Sequence, residues 1–387
     1  MSDASVFDWD WFSVHLKELL DLIYRKTVFE EGLFHPHFDY RWMRKETPFR
    51  TLVSQSRLIY NFSQGFLITG EERYRSAVEM GADVLINYFK DRQQGGYFWS
   101  CDPEGRIRED RKDCYGHAFV IFALAHASKA VGRKDFADEA LSVWEEVKKE
   151  FRDNHGGFVW DLDRRFRQIN NRRSQNPMMH LFEALLELVP LEDMGSVQED
   201  AWDLGDFVLS RLRRSSDGLL PEMYDKNWRE LPEEMGGNVD VGHAFEWAFL
   251  FSRSCELGLP ECWAETGETF LKSGLKMGFD ERNGGVFSPA SPDGKSVKKI
   301  KGWWEQCEAA RALMHYTVLR GRSDLWEPLE KTMVFIKTQM IDHENKGWYT
   351  FIKEGEDHRK QDKLDQWKIH YHAVGLCAEA LRLKSLV

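Results

Sequence analysis

The sequence predicts an all-α protein, an (α/α)6 barrel of six helical hairpins in a single domain over residues 1–387. Two observations support this fold. A short segment in which glycine precedes apolar or aromatic residues recurs six times, and the stretches between have the apolar spacing of helices. The marked glycines are separated by 61 to 67 residues: Gly32, Gly96, Gly157, Gly218, Gly285 and Gly347.

Each repeat unit is long enough for two helices, in which apolar residues recur every three or four positions. The glycine segments also contain Asp, Asn and aromatic residues, so they are expected to form tight turns or short hairpins. Helices are expected at 9–27, 52–66, 73–89, 118–131, 136–151, 178–188, 199–212, 244–257, 262–277, 303–319, 324–340 and 373–383.

Six stacked hairpins could form an open solenoid or a closed ring. An open solenoid needs polar repeats at its ends. The last predicted helix is as apolar as the middle ones, so closure is favoured, with helix 9–27 as its partner. A closed ring brings equivalent positions of all units around one central cavity.

Composition excludes several classes of function. The 53 basic against 64 acidic residues give a net charge of −11, so no nucleic-acid partner is expected. No apolar run reaches the roughly 18 residues of a membrane span, and the acidic N-terminus does not resemble a signal peptide. The six cysteines include no C-x-x-C pair, which indicates reduced thiols and a cytoplasmic protein. The sequence leaves open whether the protein forms a homodimer.

The segment 241–248 contains the first candidate for chemistry. On a helix, His243 and Glu246 lie three positions apart and share one face. A carboxylate beside an imidazole can hold it in one tautomer, so Glu246 is expected to orient His243. For an isolated pair, a buried histidine that packs in a helix core is the simpler explanation.

The repeat strengthens the catalytic interpretation. Every unit has a polar residue 21 to 25 positions after its marked glycine. In a closed ring, residues at equivalent positions of the units should line one end of the cavity. The residues at these positions are Arg57, His117, His180, His243, Glu308 and His372.

Several chemistries fit this set poorly. The pairs His35/His37 and His370/His372 could bind zinc or copper, but the ring histidines lack accompanying cysteines or close carboxylates, so no metal is expected. Glycoside hydrolysis needs two facing carboxylates, whereas imidazoles dominate here. The sequence has no glycine-rich phosphate loop and no G-x-S-x-G motif.

Proton abstraction next to a carbonyl fits better. It needs a base with a pKa near 7, which imidazole provides, and a second group to return the proton. It also needs a cation where the enediolate oxygen gains charge, a role suited to Arg57. A non-enzymatic sugar-binding protein would use Arg, Trp and His as well, but would not need two imidazoles.

Six motifs then resemble the N-acylglucosamine 2-epimerase superfamily, in the family's order and over nearly the whole chain. They lie at 54–57 (SQSR), 113–119 (DCYGHAF), 176–180 (NPMMH), 242–246 (GHAFE), 303–308 (WWEQCE) and 367–372 (WKIHYH). The resemblance implies the same barrel. It also implies a metal-independent, cofactor-free epimerase or aldose–ketose isomerase of unphosphorylated sugars.

The resemblance also suggests roles. His243 and His372 resemble the two catalytic histidines, and Arg57 resembles the arginine near the reacting oxygens. Trp303 and Trp304 resemble part of the pocket wall, although ordinary barrel core would explain them equally well. The residues expected to contact or orient the sugar, including two assigned from their position in the repeat, are Tyr115, His117, Asn176, His180, Glu246 and Glu308.

The branch of the superfamily stays open. His370 stands where members of the epimerase branch often have proline. As a possible extra donor beside His372, it favours isomerisation. We therefore expect mannose–fructose interconversion, with 2-epimerisation of mannose, cellobiose or an N-acylglucosamine as the alternative.

Overall fold

The computed structural model describes residues 7–28, 32–192 and 195–386, and twelve α-helices lie within these ranges. They alternate between two layers of a ring. The inner helices are α2 (Leu52–Thr69), α4 (Cys114–Val131), α6 (Gln175–Leu188), α8 (Val241–Cys255), α10 (Trp303–Leu319) and α12 (Tyr371–Lys384). The outer helices are α1 (Asp10–Thr27), α3 (Glu72–Phe89), α5 (Lys134–Glu150), α7 (Ser196–Phe207), α9 (Cys262–Gly278) and α11 (Trp326–Phe335).

The ring is closed. Each inner helix packs against the next one, and α12 packs against α2, so the series has no free end. Outer helix α1 packs against α12, as the sequence predicted for residues 9–27. These contacts confirm the (α/α)6 barrel and exclude the open solenoid.

Short strands connect neighbouring units at one end of the barrel. Those that precede α2, α4, α6 and α10 each pair antiparallel with a strand of the next unit. The strands are β1 (Arg50–Thr51), β2 (Ser100–Cys101), β3 (Ile107–Glu109), β4 (Lys112–Asp113), β5 (Asp161–Leu162), β6 (Arg173–Ser174), β7 (Met223–Tyr224), β8 (Ile300–Gly302) and β9 (Phe351–Lys353).

Several inner helices begin earlier than predicted because a capping side chain starts them. Asp113 accepts a hydrogen bond from the backbone N–H of Gly116, and Asp240 accepts one from Gly242. These caps satisfy N–H groups that have no partner within the helix. Helices α4 and α8 therefore begin at Cys114 and Val241, and the predicted starts at 118 and 244 were late.

Buried ion pairs fix the turns between units. The carboxylate of Asp91 follows α3 and lies 3.1 Å from Lys112 Nζ, whose strand leads into α4. Asp280 and Lys301 form the same contact at 2.7 Å before α10. In this way the turn after an outer helix is held against the strand before the next inner helix.

In the described ranges, no helix has a long enough apolar stretch to cross a lipid bilayer.

Candidate active site

The N-terminal ends of the inner helices surround a cavity of about 280 Å³, here named the inner cavity. Nine residues that the sequence singled out line it: Arg57, Tyr115, Asn176, His180, His243, Glu246, Trp303, Trp304 and His372. Four further lining residues were not predicted: Thr350, Asp365, Trp367 and Lys368.

The two central imidazoles flank a tryptophan. The ring centroid of Trp304 lies 4.9 Å from that of His243 and 5.5 Å from that of His372. His243 comes from α8 and His372 from α12, with Trp304 on the intervening helix α10. The indole therefore separates two titratable rings that face the same small space.

His243 is hydrogen-bonded to a carboxylate that the sequence did not indicate. Its Nδ1 lies 2.9 Å from Glu222 Oε1. Burial alone would lower the pKa of His243, but the charge and hydrogen bond of Glu222, with the charge of Asp240, raise it to about 10. His243 is therefore an imidazolium at neutral pH, with Nδ1 donating to Glu222 and Nε2 left for a ligand.

The prediction that Glu246 orients His243 was wrong. Helical spacing places both on α8, but the hydrogen bond to the ring comes from Glu222, in the segment that follows Gly218 in the same unit. The Glu246 side chain is 1% exposed, and neither of its oxygens has a hydrogen-bond partner among the described residues. Burial, together with Glu308 and Glu183, raises its pKa well above the ordinary value. Glu246 is thus a neutral acid that faces the cavity.

His372, unlike His243, is uncharged. Its Nδ1 lies 2.7 Å from Glu308 Oε1, but burial and the nearby Arg57 hold its pKa well below the ordinary value. Arg311 lies 3.5 Å from the other oxygen of Glu308 and shares the charge of that carboxylate. His372 is therefore a neutral base.

Glu308 does not contact the cavity, contrary to its predicted place among the sugar-binding residues. Its side chain is fully buried behind His372. Burial raises its pKa to about 7 against the pull of Arg311. In the structure, Glu308 holds the imidazole of His372 rather than lining the space in front of it.

Arg57 is held at the rim by two hydrogen bonds. Its Nη1 donates to the carbonyl oxygen of Trp367 at 2.9 Å, and its Nη2 donates to the hydroxyl of Tyr115 at 2.5 Å. The guanidinium also lies over the ring of Phe119 at 4.4 Å. These contacts fix a positive charge beside the cavity.

His180 contributes a second buried imidazole–carboxylate pair. Its Nδ1 lies 3.0 Å from Glu183 Oε2, and the Tyr371 hydroxyl donates to the same carboxylate at 2.7 Å. Burial lowers the pKa of His180 despite this contact. The neutral ring stands edge-on to Tyr115 at the wall of the cavity.

His117 does not reach the inner cavity, so its predicted place in the site was wrong. Its Nδ1 donates to the carbonyl oxygen of Asp113 at 2.7 Å, and its Nε2 accepts from the backbone N–H of Tyr97 at 2.9 Å. Both nitrogens are therefore used to hold a glycine segment against α4. Burial lowers the pKa of His117 to about 4.

His370 does not line the inner cavity, contrary to the expectation of an extra donor beside His372. It is fully buried, with its ring near Trp42 and Trp303. Its left-handed backbone, with φ of 59°, starts α12. Burial holds its pKa well below the ordinary value, so His370 is an uncharged ring that packs within the barrel wall.

Glu222 and Gln175 are the most important residues that the sequence did not indicate. The Gln175 amide donates to both oxygens of Glu222 at 3.0 Å, and its own oxygen accepts from the Trp247 indole at 2.7 Å. The only sequence signal was position: Glu222 stands four residues after a marked glycine, as Asp161 does in the preceding unit.

A second, larger space opens beside the inner cavity. This outer cavity has a volume of about 650 Å³ and shares Tyr115, Asn176 and Trp367 with the inner one. Its other walls include the indoles of Trp99 and Trp160. Flat aromatic faces next to a polar cleft suit the apolar faces of sugar rings.

Among the described residues, two sets of side chains could hold a metal ion by distance alone. In each set the donor atoms lie within 4.8 Å of one another, and Glu246 belongs to both. In both, however, a histidine nitrogen is already hydrogen-bonded to a neighbouring carboxylate: His180 to Glu183 and His372 to Glu308. A metal ion would have to displace these hydrogen bonds.

An α/α barrel that brings a charged and a neutral imidazole to one cavity has the site of an acid–base enzyme. Comparison with known proteins agrees. The family model for N-acylglucosamine 2-epimerase matches residues 32–376. The D-mannose isomerase of Marinomonas mediterranea is 26% identical over 403 residues, covering 97% of this chain and 98% of that protein. The cellobiose 2-epimerase of Dictyoglomus turgidum is 23% identical, covering 86% and 87%.

Solved structures share the fold. A crystal structure of a D-mannose isomerase aligns with a TM-score of 0.89 at 23% identity, over 99% of this chain and 100% of that one. The cellobiose 2-epimerase from Bacillus thermoamylovorans aligns with a TM-score of 0.89 at 19% identity, over 97% and 99%. The chain belongs to the N-acylglucosamine 2-epimerase family, and it is an enzyme of the isomerase class.

Proposed function

We propose that this enzyme is a metal-independent, cofactor-free aldose–ketose isomerase of unphosphorylated sugars, with mannose and fructose as the leading pair and a cytoplasmic setting. The observation that carries the proposal is the unequal charge of the two imidazoles on either side of Trp304. The relative named D-mannose isomerase, which matches 97% of the chain, supports the choice of sugar.

The proposed reaction begins with ring opening. When the ring opens, the proton of the anomeric hydroxyl passes to the ring oxygen, and the Nε2–H of the His243 imidazolium hydrogen-bonds that ring oxygen. Neutral His372, whose Nδ1 is held by Glu308, then removes the C2 proton through Nε2. The electron pair left at C2 forms a cis-enediolate, and its negative oxygen lies near Arg57.

The second half-reaction returns the proton to C1. The His372 imidazolium that formed in the first step gives its proton to C1 from the same face. The proton of the C2 hydroxyl passes to the C1 oxygen, and the C2 oxygen becomes the ketose carbonyl. The proton balance therefore closes within the site. Positive charge from His243 and Arg57 stabilises the negative charge of the enediolate, as a metal ion does in other isomerases.

Unpaired polar atoms support the binding of a polyol in the inner cavity. Both oxygens of Glu246 and Oδ1 of Asn176 are buried without hydrogen-bond partners among the described residues. Sugar hydroxyls could satisfy all of them, and leaving such atoms unpaired costs about 1–3 kcal/mol each.

An unphosphorylated substrate suits the cations nearby. Arg57 is committed to Tyr115 and Trp367, and Lys368 donates to two backbone carbonyls. Among the described lining residues of the outer cavity, the cation is Arg111, which is paired with Asp113. A phosphate would therefore find no uncommitted lysine or arginine in the parts of either cavity that the structure describes.

The test is incubation with mannose in deuterated water, followed by NMR. We expect fructose with deuterium at C1 to form faster than glucose with deuterium at C2. Exchange of label between mannose and glucose without any ketose would contradict the isomerase proposal and favour an epimerase.

The metal-independent part has its own test. After exhaustive chelation, turnover should stay within about twofold of the untreated enzyme, because His243 and Arg57 supply the required charge. Loss of turnover that added zinc or manganese restores would instead support the donor sets around Glu246.

The outer cavity favours a second candidate, 2-epimerisation of a disaccharide. It offers room for a second sugar ring between Trp99, Trp160 and Trp367. The relative named cellobiose 2-epimerase, which matches 86% of the chain, points the same way. If cellobiose is the better substrate, Trp160→Ala should reduce its kcat/KM about tenfold and leave that of mannose unchanged.

A further inference from the structure

Two carboxylates hold the two histidines, but their surroundings differ. Glu308 Oε2 lies 3.5 Å from Arg311, so its charge is shared between a histidine and a buried arginine. Glu222 is approached by neutral donors: Gln175 Nε2 at 3.0 Å and the backbone N–H of Asp240 at 3.4 Å. Its ion pair among the described residues is with His243 itself. Its full charge therefore acts on one imidazole.

Other titratable groups surround His243 without replacing Glu222. Asp240 precedes the ring on the chain, but its carboxylate accepts from Ser288 Oγ and the Gly242 N–H. Glu246 on α8 is neutral, and burial raises the pKa of Glu305 on α10 to about 8. His180 on α6 is a neutral ring. Among these, Glu222 is the carboxylate in hydrogen-bond contact with His243.

We propose that Glu222 is a positioning residue that makes the two histidines unequal and thereby selects isomerisation over 2-epimerisation. This inference rests on the proposed function. An imidazolium held by an unshared carboxylate can hydrogen-bond a sugar oxygen, but it gives up its proton to carbon reluctantly. The opposite face of the enediolate then has no effective proton donor.

The charge that Glu222 maintains on His243 should also restrict which aldose can lose its C2 proton. A 2-epimer has its C2 proton on the face opposite His372, where it can be removed only by a neutral base. His243 is not such a base while Glu222 keeps it protonated. The enzyme should therefore exchange the C2 proton of mannose and not that of glucose, and fructose returned to aldose should give mannose.

The test replaces Glu222 by glutamine, which keeps the shape and removes the charge. In Glu222→Gln, the share of glucose formed from fructose in deuterated water should rise about tenfold, with new C2 exchange of glucose. The matched control is Glu308→Gln, which should lower the overall rate without raising the glucose share.

Two further measurements separate this role from simple loss of structure. In the wild type, C2 exchange of glucose should appear only at alkaline pH, as His243 loses its proton, and in Glu222→Gln it should appear near neutrality. NMR titration of the His243 ring should move to lower pH in the variant. The conservative variant Glu222→Asp should keep the wild-type product share.

The outcomes are distinct. If the wild type converts neither mannose nor fructose, the proposed function fails. If the wild type isomerises mannose and Glu222→Gln has the same product share and the same pH profile for glucose exchange, the role of Glu222 is refuted.

Discussion

Within the inner helices, two positions two residues apart have different tasks. The first ties a glycine segment to the helix: Gln55 bonds the backbone of Phe34, and Gln306 bonds that of Val286. His117 makes the corresponding contact with Tyr97. The second position, which includes Arg57, Glu308 and His372, faces the barrel interior. Counting from the glycines mixed these two positions, which is why His117 was assigned to the site.

His117 should accordingly be replaceable by the residue its equivalents use. We expect His117→Gln to keep kcat within about threefold, because glutamine does the same work in two other units. His117→Ala should lower the free energy of unfolding by about 1–3 kcal/mol, since it leaves the Tyr97 N–H unpaired. Denaturant unfolding and steady-state kinetics measure both. Loss of activity in a stable His117→Gln variant would show that His117 has a role in the active site.

The same residue predicts a pH effect on stability. The unfolded chain binds a proton at His117 below about pH 6.5, whereas the folded protein does so only near pH 4. Between these values the unfolded state binds more protons, so stability falls as the pH falls. His117→Gln should therefore gain about 3 kcal/mol over the wild type between pH 7 and pH 4. A constant difference across this range would contradict the burial of a neutral ring.

His372 should behave differently from His117. His372→Asn should lower kcat by about 10²–10⁴-fold, because it removes the base that takes the C2 proton. Sugar affinity, measured by calorimetry, should change by less than about tenfold because the binding residues remain. His117→Gln is the matched control. Wild-type proton exchange at C2 in His372→Asn would refute the proposed base.

The helices and their order follow from local signals, but the key contact of the site does not. Glycine segments and apolar periodicity lie within one unit and can be read along the chain. Gln175 and Glu222 meet because β6 and β7 pair antiparallel, with Ser174 opposite Met223. That register makes the next pair Gln175 and Glu222, which the spacing of residues within one unit cannot indicate. Helical spacing suggested Glu246 instead, since it was the nearest carboxylate in sequence.

The turns between helices depend on buried ion pairs whose contribution can be measured. Lys363 Nζ lies 2.6 Å from Asp342, and both side chains are almost fully buried. Lys363→Met should lower the free energy of unfolding by about 3–5 kcal/mol, because Asp342 keeps a buried charge. Adding Asp342→Asn should restore part of the loss, as measured by urea denaturation. Equal stability of the single and double variants would exclude a charge effect.

The whole ring is expected to act as one domain, as the sequence predicted for residues 1–387. Every inner helix contacts two others, so no subset can leave without exposing buried surface. We expect one cooperative thermal transition, with coincident curves from far-ultraviolet circular dichroism and tryptophan fluorescence. Two separated transitions would indicate an independent unit within the barrel.

The position of Trp304 makes the protein its own optical sensor. An indole in contact with a charged imidazole is quenched more strongly than one beside a neutral ring, so its emission should report the charge of His243. The difference spectrum between the wild type and Trp304→Phe isolates that signal from the other tryptophans. Stopped-flow mixing with sugar could then follow proton movement in single turnovers, without any added dye.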